Sequence, residues 1–141
     1  EGGLRNPLYL AGDFGVALGE PPRLIPQTAR GAFEDYRGLG LPYYAGRIAY
    51  RRTLTLNNLP TGQEALVRLH LPHLCHQALS ITINDGPALP LLWEPRRVRY
   101  PTAHLLAGEN RVEVQLYTTL VRAFEGAVFD ETIHEYRPIV A

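Results

Sequence analysis

The chain has 141 residues and a mass of 15.8 kDa, which predicts a single domain able to bury an apolar core without disulfides or metal. Its 14 basic and 14 acidic residues balance, so the positive field of a nucleic-acid-binding protein is not expected. The basic residues are all Arg, which excludes lysine Schiff-base chemistry, and no segment has the roughly 20 apolar residues of a membrane helix.

Alternation of apolar and polar residues predicts strands along most of the chain. A short strand is expected near Leu8–Leu10, and residues 17–40, rich in Gly, Pro and Arg, are expected to form a long loop. Further strands are predicted at 47–56, 65–71, 79–84, 89–93 and 112–117. Residues suited to turns lie between them, and Gly86 is expected to supply a positive φ. Residues 130–136 fit either a short helical turn or a terminal strand.

These elements predict an all-β fold, an antiparallel β-sandwich of jelly-roll type that occupies residues 1–141 as one domain. Within each strand, one set of alternate residues is apolar and is expected to face the core. In the longest strand this set is interrupted by Arg52. The expected core-facing residues include Ile48, Tyr50, Leu54, Leu56, Ala65, Val67, Leu69 and Leu71, with Phe14 added from the N-terminal region.

Five segments, in order along residues 8–125, carry a resemblance to a known family. They are Gly12–Val16, Gly40–Gly46, Leu79–Gly86, Leu91–Val98 and Gly108–Val114. Together they resemble the galactose-binding-like β-sandwich of glycoside hydrolases, as found in the sugar-binding domain of family-2 enzymes and in rhamnosidase-like relatives. One departure is local: many relatives carry Asp-x-Thr before the late turn, where this chain has Tyr100-Pro101-Thr102.

The resemblance implies a non-catalytic, carbohydrate-binding accessory domain of a larger, bacterial glycoside hydrolase. Its partners would be a carbohydrate and the catalytic domain of the same polypeptide, with no nucleic acid and no membrane. The lack of Met and the start at Glu1 predict a fragment of a multidomain protein, whose missing parts would direct any secretion or attachment to the cell envelope. The alternative is a structural module that packs on the catalytic domain and has no sugar site.

Sugar recognition requires an aromatic face and planar polar groups that bind hydroxyls. Trp93 is followed closely by two arginines, and further aromatic and acidic residues lie in loops expected near the same end. The candidate carbohydrate-binding residues are Trp93, Arg96, Arg97, Tyr43, Tyr44 and Asp35. In the competing interpretation, Trp93 ends an apolar run and lies in the core or at an interface, and Arg96, Arg97 and Arg99 form a solvated or domain-facing edge. No catalytic residue is predicted, because no pair of carboxyl groups can be identified.

Two clusters have the residue types of metal ligands, but neither predicts a metal site. His70, His73, Cys75 and His76 lie in one short segment, bent at Pro72, with no second half of a zinc site elsewhere. Glu131 and His134 are a lone pair three residues apart, whereas dinuclear carboxylate sites need more ligands. Calcium at Asp13 is the remaining option, and no acidic cluster supports it, so no cofactor is expected.

Overall fold

The computed structural model describes residues 8–27, 38–71, 78–120, 123, 127–130 and 132–138. These residues form ten strands, with a three-residue 3-10 helix, Thr102–His104, before the eighth. The strands are β1 Phe14–Ala17, β2 Arg23–Pro26, β3 Arg47–Leu56, β4 Glu64–Arg68, β5 Ala78–Ile83, β6 Leu89–Leu91, β7 Arg97–Pro101, β8 Gly108–Tyr117, β9 Ala127–Asp130 and β10 Glu135–Pro138.

The strands pair in one larger and three smaller antiparallel sheets. The larger sheet has the order β3-β8-β5-β6, while β4 pairs with β7, β1 with β2 and β9 with β10. β3 and β8 are paired along their whole length, from Arg47 opposite Tyr117 to Leu56 opposite Gly108. The long central strand β8 therefore organises the larger sheet, since both β3 and β5 pair with it.

The core lies between the four-stranded sheet and the β4–β7 sheet. Alternate residues of β5 lie beside apolar register partners on β8, and Ile81 with Val114 is one such pair. Alternate residues of β4 and β7 pack against this layer from the other side, among them Val67, Val98 and the fully buried Tyr100. The predicted all-β, antiparallel sandwich is confirmed.

The β4–β7 sheet does not cover the whole core-facing side of β3. Ile48, Tyr50 and Leu56 pack against the core, as the alternation predicts. Leu54 belongs to the same set of alternate residues, yet it is 48% exposed, and Arg52 beside it is exposed too. The edge strand β3 thus presents a partly open apolar side.

Two of the predicted local elements and one predicted core residue need correction. Leu8–Leu10 is not in a strand; the first strand is β1, and its partner β2 lies inside the stretch predicted to be a loop. Short strands rich in Gly and Pro carry too little alternation to be recognised. Phe14 is only partly buried and is not in the core. Of the two alternatives for residues 130–136, the structure shows the terminal strand, since Glu135 begins β10 and pairs with Asp130 of β9.

Two asparagines that carry the family resemblance bond to each other. Asn84 Nδ2 donates to Asn110 Oδ1 at 2.9 Å, and the backbone N–H of Arg111 donates to Asn84 Oδ1 at 2.9 Å. Asn84 itself takes the positive φ, 51°, that the sequence predicted for Gly86. Asn tolerates this conformation better than most residues. The turn after β5 is therefore tied directly to the start of β8.

Gly86 is required for close packing and not for its backbone angle. A Cβ atom there would lie 2.5 Å from Tyr100 Oη and 2.9 Å from His104 Cγ. Tyr100 cannot move away at low cost, because its buried hydroxyl accepts a hydrogen bond from the Ile83 N–H at 2.8 Å. The hydroxyl also lies 3.0 Å from the Pro87 carbonyl oxygen, to which it donates.

Replacing Gly86 with alanine is expected to lower the free energy of unfolding by about 2 kcal/mol, since overpacking forces neighbouring groups apart. Urea unfolding of the two proteins measures this difference. Gly19→Ala is the matched control, because its Cβ atom would meet nothing nearer than the Pro21 oxygen at 3.8 Å. Equal midpoints for Gly86→Ala and Gly19→Ala would contradict the close contact with Tyr100.

Candidate functional site

The loops that carry most of the candidate residues lie at one end of the sandwich. Tyr117, at the end of β8, pairs with both Arg47 and Ala78, and Leu79 pairs with Leu91. The start of β3 and the end of β6 are therefore at the same end of the sheet, here called the Trp93 end, with its loops 41–46 and 92–96. The two loops belong to opposite edge strands, three strand spacings or about 14 Å apart.

Trp93 stands out from the surface of the Trp93 end. Its side chain is 77% exposed, and the preceding Leu92 is 49% exposed. A core position for Trp93 is therefore wrong, whereas an interface with another domain stays a prediction. An indole in this position offers an apolar face to a ligand or to another domain.

Arg96 is in the interior and holds the 92–96 loop together. Its side chain is 0% exposed, with Nε 2.7 Å from Glu94 Oε1. Nη1 donates to the Leu91 carbonyl at 3.0 Å, and the Arg96 N–H donates to Glu94 Oε2 at 3.1 Å. A ligand in solvent cannot reach this guanidinium, so Arg96 positions the loop and does not bind sugar directly.

Arg97 lies on the open side of the β4–β7 sheet. Val98 and Tyr100 of β7 face the core, so Arg97 and Arg99 face outward and are exposed. On β4 the outward residues are Glu64, Leu66 and Arg68. We call this outward surface, formed by Glu64, Leu66, Arg68, Arg97 and Arg99, the arginine face. The exposure of Arg97 and Arg99 agrees with the competing interpretation of a solvated or domain-facing edge. The buried Arg96 does not belong to that edge.

The remaining candidate residues are less well placed. Tyr44 folds back on its own loop, where its hydroxyl donates to the Arg47 carbonyl at 3.2 Å and its ring lies against Gly46. Tyr43 is half-buried. Asp35 lies outside the described residues. The structure thus brings Trp93 and Arg97 to one edge and leaves Tyr43 and Tyr44 at the other.

A groove with a volume of about 460 Å³ lies on the open side of the four-stranded sheet. Except for Val112, the residues that line it are polar or charged. Arg51 Nε lies 2.6 Å from Glu113 Oε2, and Arg111 Nη2 lies 3.1 Å from Asp85 Oδ1. A hydrogen bond from Gln115 and the ion pair with Arg51 lower the pKa of Glu113. Strand alternation predicted that this side of the sheet is polar, but it did not predict the two ion pairs between its charged residues.

The described residues contain no cluster of three His, Cys, Asp or Glu side chains able to hold a metal ion. His73, Cys75, His76 and Glu131 lie outside the residues that the structure describes. Asp13 is exposed. Within the described ranges, no helix has the length and apolar character needed to cross a membrane.

The chain matches no protein-family model, and no curated protein or solved structure shows significant similarity to it. Its function must therefore be inferred from the residues and their geometry. Three features support such an inference: the exposed Trp93 side chain, the 92–96 loop held by Arg96, and the adjacent arginine face.

Proposed function

We propose that this domain binds carbohydrate without catalysing a reaction, as an accessory module of a larger glycoside hydrolase. The observation that carries the proposal is the 77% exposure of Trp93 at the end of the sandwich. Trp is highly buried on average, so an indole exposed to this extent, with the exposed Leu92 next to it in the chain, supports a binding surface. The apolar face of a sugar ring is a suitable partner for an indole.

The loop that carries Trp93 is held in one conformation by the protein interior. Arg96 bonds to the Leu91 carbonyl on one side of Trp93 and to Glu94 on the other. A loop fixed in this way loses little conformational freedom when a ligand binds, and this lowers the entropic cost of binding. The neighbouring Arg97 adds an exposed, planar donor group able to bind hydroxyl or carboxylate oxygens in pairs.

Binding alone is proposed because Glu94, the carboxylate of this loop, is already bonded to Arg96 through both oxygens. Hydrolysis of a glycoside needs two carboxyl groups that face each other, about 5 Å or 6.5–9.5 Å apart. A carboxylate engaged by a buried arginine through both oxygens serves to position the loop.

Trp93→Ala is expected to weaken binding at least about tenfold, since stacked aromatic residues commonly dominate the affinity of such sites. Isothermal titration against a panel of plant and bacterial polysaccharides measures the effect. Leu106→Ala is the control, because Leu106 is 54% exposed and lies just before β8, at the opposite end of the sandwich. Circular dichroism checks that both variants stay folded.

A structural module that packs on a catalytic domain is the second candidate. Leu92 favours it, because it is 49% exposed and next to Trp93 in the chain, where it extends the exposed apolar surface. Contiguous exposed apolar residues mark interaction surfaces, and another domain packed here would cover both side chains. If the folded domain binds no polysaccharide of the panel, or if Trp93→Ala binds as the unmodified domain does, the carbohydrate site at Trp93 is wrong and packing becomes the better explanation.

A further inference from the structure

Two exposed arginines lie directly opposite each other on the arginine face. Arg68 of β4 and Arg97 of β7 are register partners, and both face outward. Directly opposite residues of an antiparallel pair have Cβ atoms about 5 Å apart, and like charges in this arrangement destabilise the sheet. Among the residues that the structure describes, neither arginine has an ion pair or a side-chain hydrogen bond. The third arginine, Arg99, is 3.8 Å from Glu64.

The like charge across the ladder, and not the lack of an ion pair, distinguishes Arg68 and Arg97 from the other exposed arginines of the two sheets. Arg47 and Arg52 of β3 also have no ion pair among the described residues, but they lie opposite Tyr117 and Val112. Arg51 and Arg111, in the groove on the opposite side of the sandwich, each have a carboxylate within 3.1 Å. The chain as a whole has no net charge at pH 7. The positive charge of Arg68 and Arg97 is therefore a local feature, and a bound anion would remove the repulsion between them. Guanidinium groups bind carboxylates through two parallel hydrogen bonds.

The arginine pair is also close to the exposed tryptophan. Arg97 follows Trp93 by four residues, which limits the distance between their Cα atoms to about 14 Å. Arg68 is at the same end, because the Leu69 N–H donates to the Arg96 carbonyl at 2.9 Å. One extended ligand can reach both the indole and the two guanidinium groups.

We infer that the ligand is an acidic polysaccharide, whose carboxylates bind between Arg68 and Arg97 while a sugar face lies on Trp93. This inference rests on the proposed carbohydrate binding and adds the chemical class of the ligand. Charge complementarity selects it: a neutral polysaccharide would leave the like charges of the arginine face uncompensated, whereas a uronate in the chain supplies a carboxylate for them.

The test compares polygalacturonate with its fully methyl-esterified form, which has the same backbone without the charge. The complete chain is expected to bind polygalacturonate at least about tenfold more tightly, and less tightly as salt increases. In the double variant Arg68→Gln/Arg97→Gln this preference is expected to disappear. Arg51→Gln/Arg111→Gln removes the same charge from the other sheet and is expected to change the affinity less than about twofold.

The possible results separate this inference from the proposed function. Equal, Trp93-dependent binding of both forms would overturn the acidic ligand and keep carbohydrate binding. Equal binding of polygalacturonate and polyglutamate, unaffected by Trp93→Ala, would assign the arginine face to acidic polymers in general, such as an acidic protein surface, and overturn both. Loss of the preference in the Arg51/Arg111 variant would show that net charge, and not the opposed pair, is responsible.

Discussion

Asn110→Ala is expected to lower the free energy of unfolding by about 4 kcal/mol, because it removes four hydrogen bonds of a buried amide, each worth about 1 kcal/mol. Asn110 is 0% exposed. Its Oδ1 accepts from the Leu106 N–H at 2.8 Å and from Asn84 Nδ2 at 2.9 Å. Its Nδ2 donates to the carbonyls of Leu106 at 2.8 Å and Gly108 at 3.0 Å. Alanine satisfies none of these four groups.

Urea unfolding followed by circular dichroism measures the loss. Asn57→Ala is the matched control, since Asn57 lies exposed in the turn after β3. Its effect is expected to stay within about 0.5 kcal/mol. A midpoint for Asn110→Ala equal to that of Asn57→Ala would mean that the turn into β8 is held by something other than this amide.

The same residues show what the sequence could predict. Asn84 and Asn110 lie in two of the segments that carry the family resemblance, and each of the two turns has local signals of its own. The hydrogen bond between them joins residues 26 positions apart. Turn propensity describes a few neighbouring residues, so it predicts where the chain bends but not which bends meet.

Strand alternation was informative in the same limited way. It correctly separated the core-facing Val67 from its outward neighbours, and it predicted β3 with the bounds that the structure shows. It could not show that Arg68 lies opposite Arg97, because that depends on the register between two strands separated by β5 and β6. The arginine pair is therefore a property of the fold that local patterns do not contain.

Arg96 was the least predictable of the candidate residues. Arginine is almost always exposed, so its position beside Trp93 favoured a role in ligand binding. Its burial is tolerated because the Leu91 carbonyl and the Glu94 carboxylate converge on the guanidinium. Both partners lie within five residues, but nothing in their spacing distinguishes an inward from an outward side chain.

Arg96→Met is expected to lower the free energy of unfolding by about 2–3 kcal/mol, less than the loss of a fully buried ion pair. Methionine fills a similar volume but leaves the Leu91 carbonyl without its donor, whereas Glu94, with a side chain that is 56% exposed, regains water. Released from both contacts, the 92–96 loop no longer holds the indole in place. Polysaccharide affinity is therefore expected to fall by about as much as in Trp93→Ala.

Arg97→Met is the matched comparison, because the same substitution is made one residue further on, at an outward position. It is expected to change stability by less than about 0.5 kcal/mol while weakening the binding of polygalacturonate. Thermal unfolding and titration of both variants separate a residue that positions the loop from one that contacts the ligand. If Arg96→Met kept full stability and lost binding, its guanidinium would act on the ligand itself; if it lost stability and kept binding, the ligand would not depend on the position of Trp93.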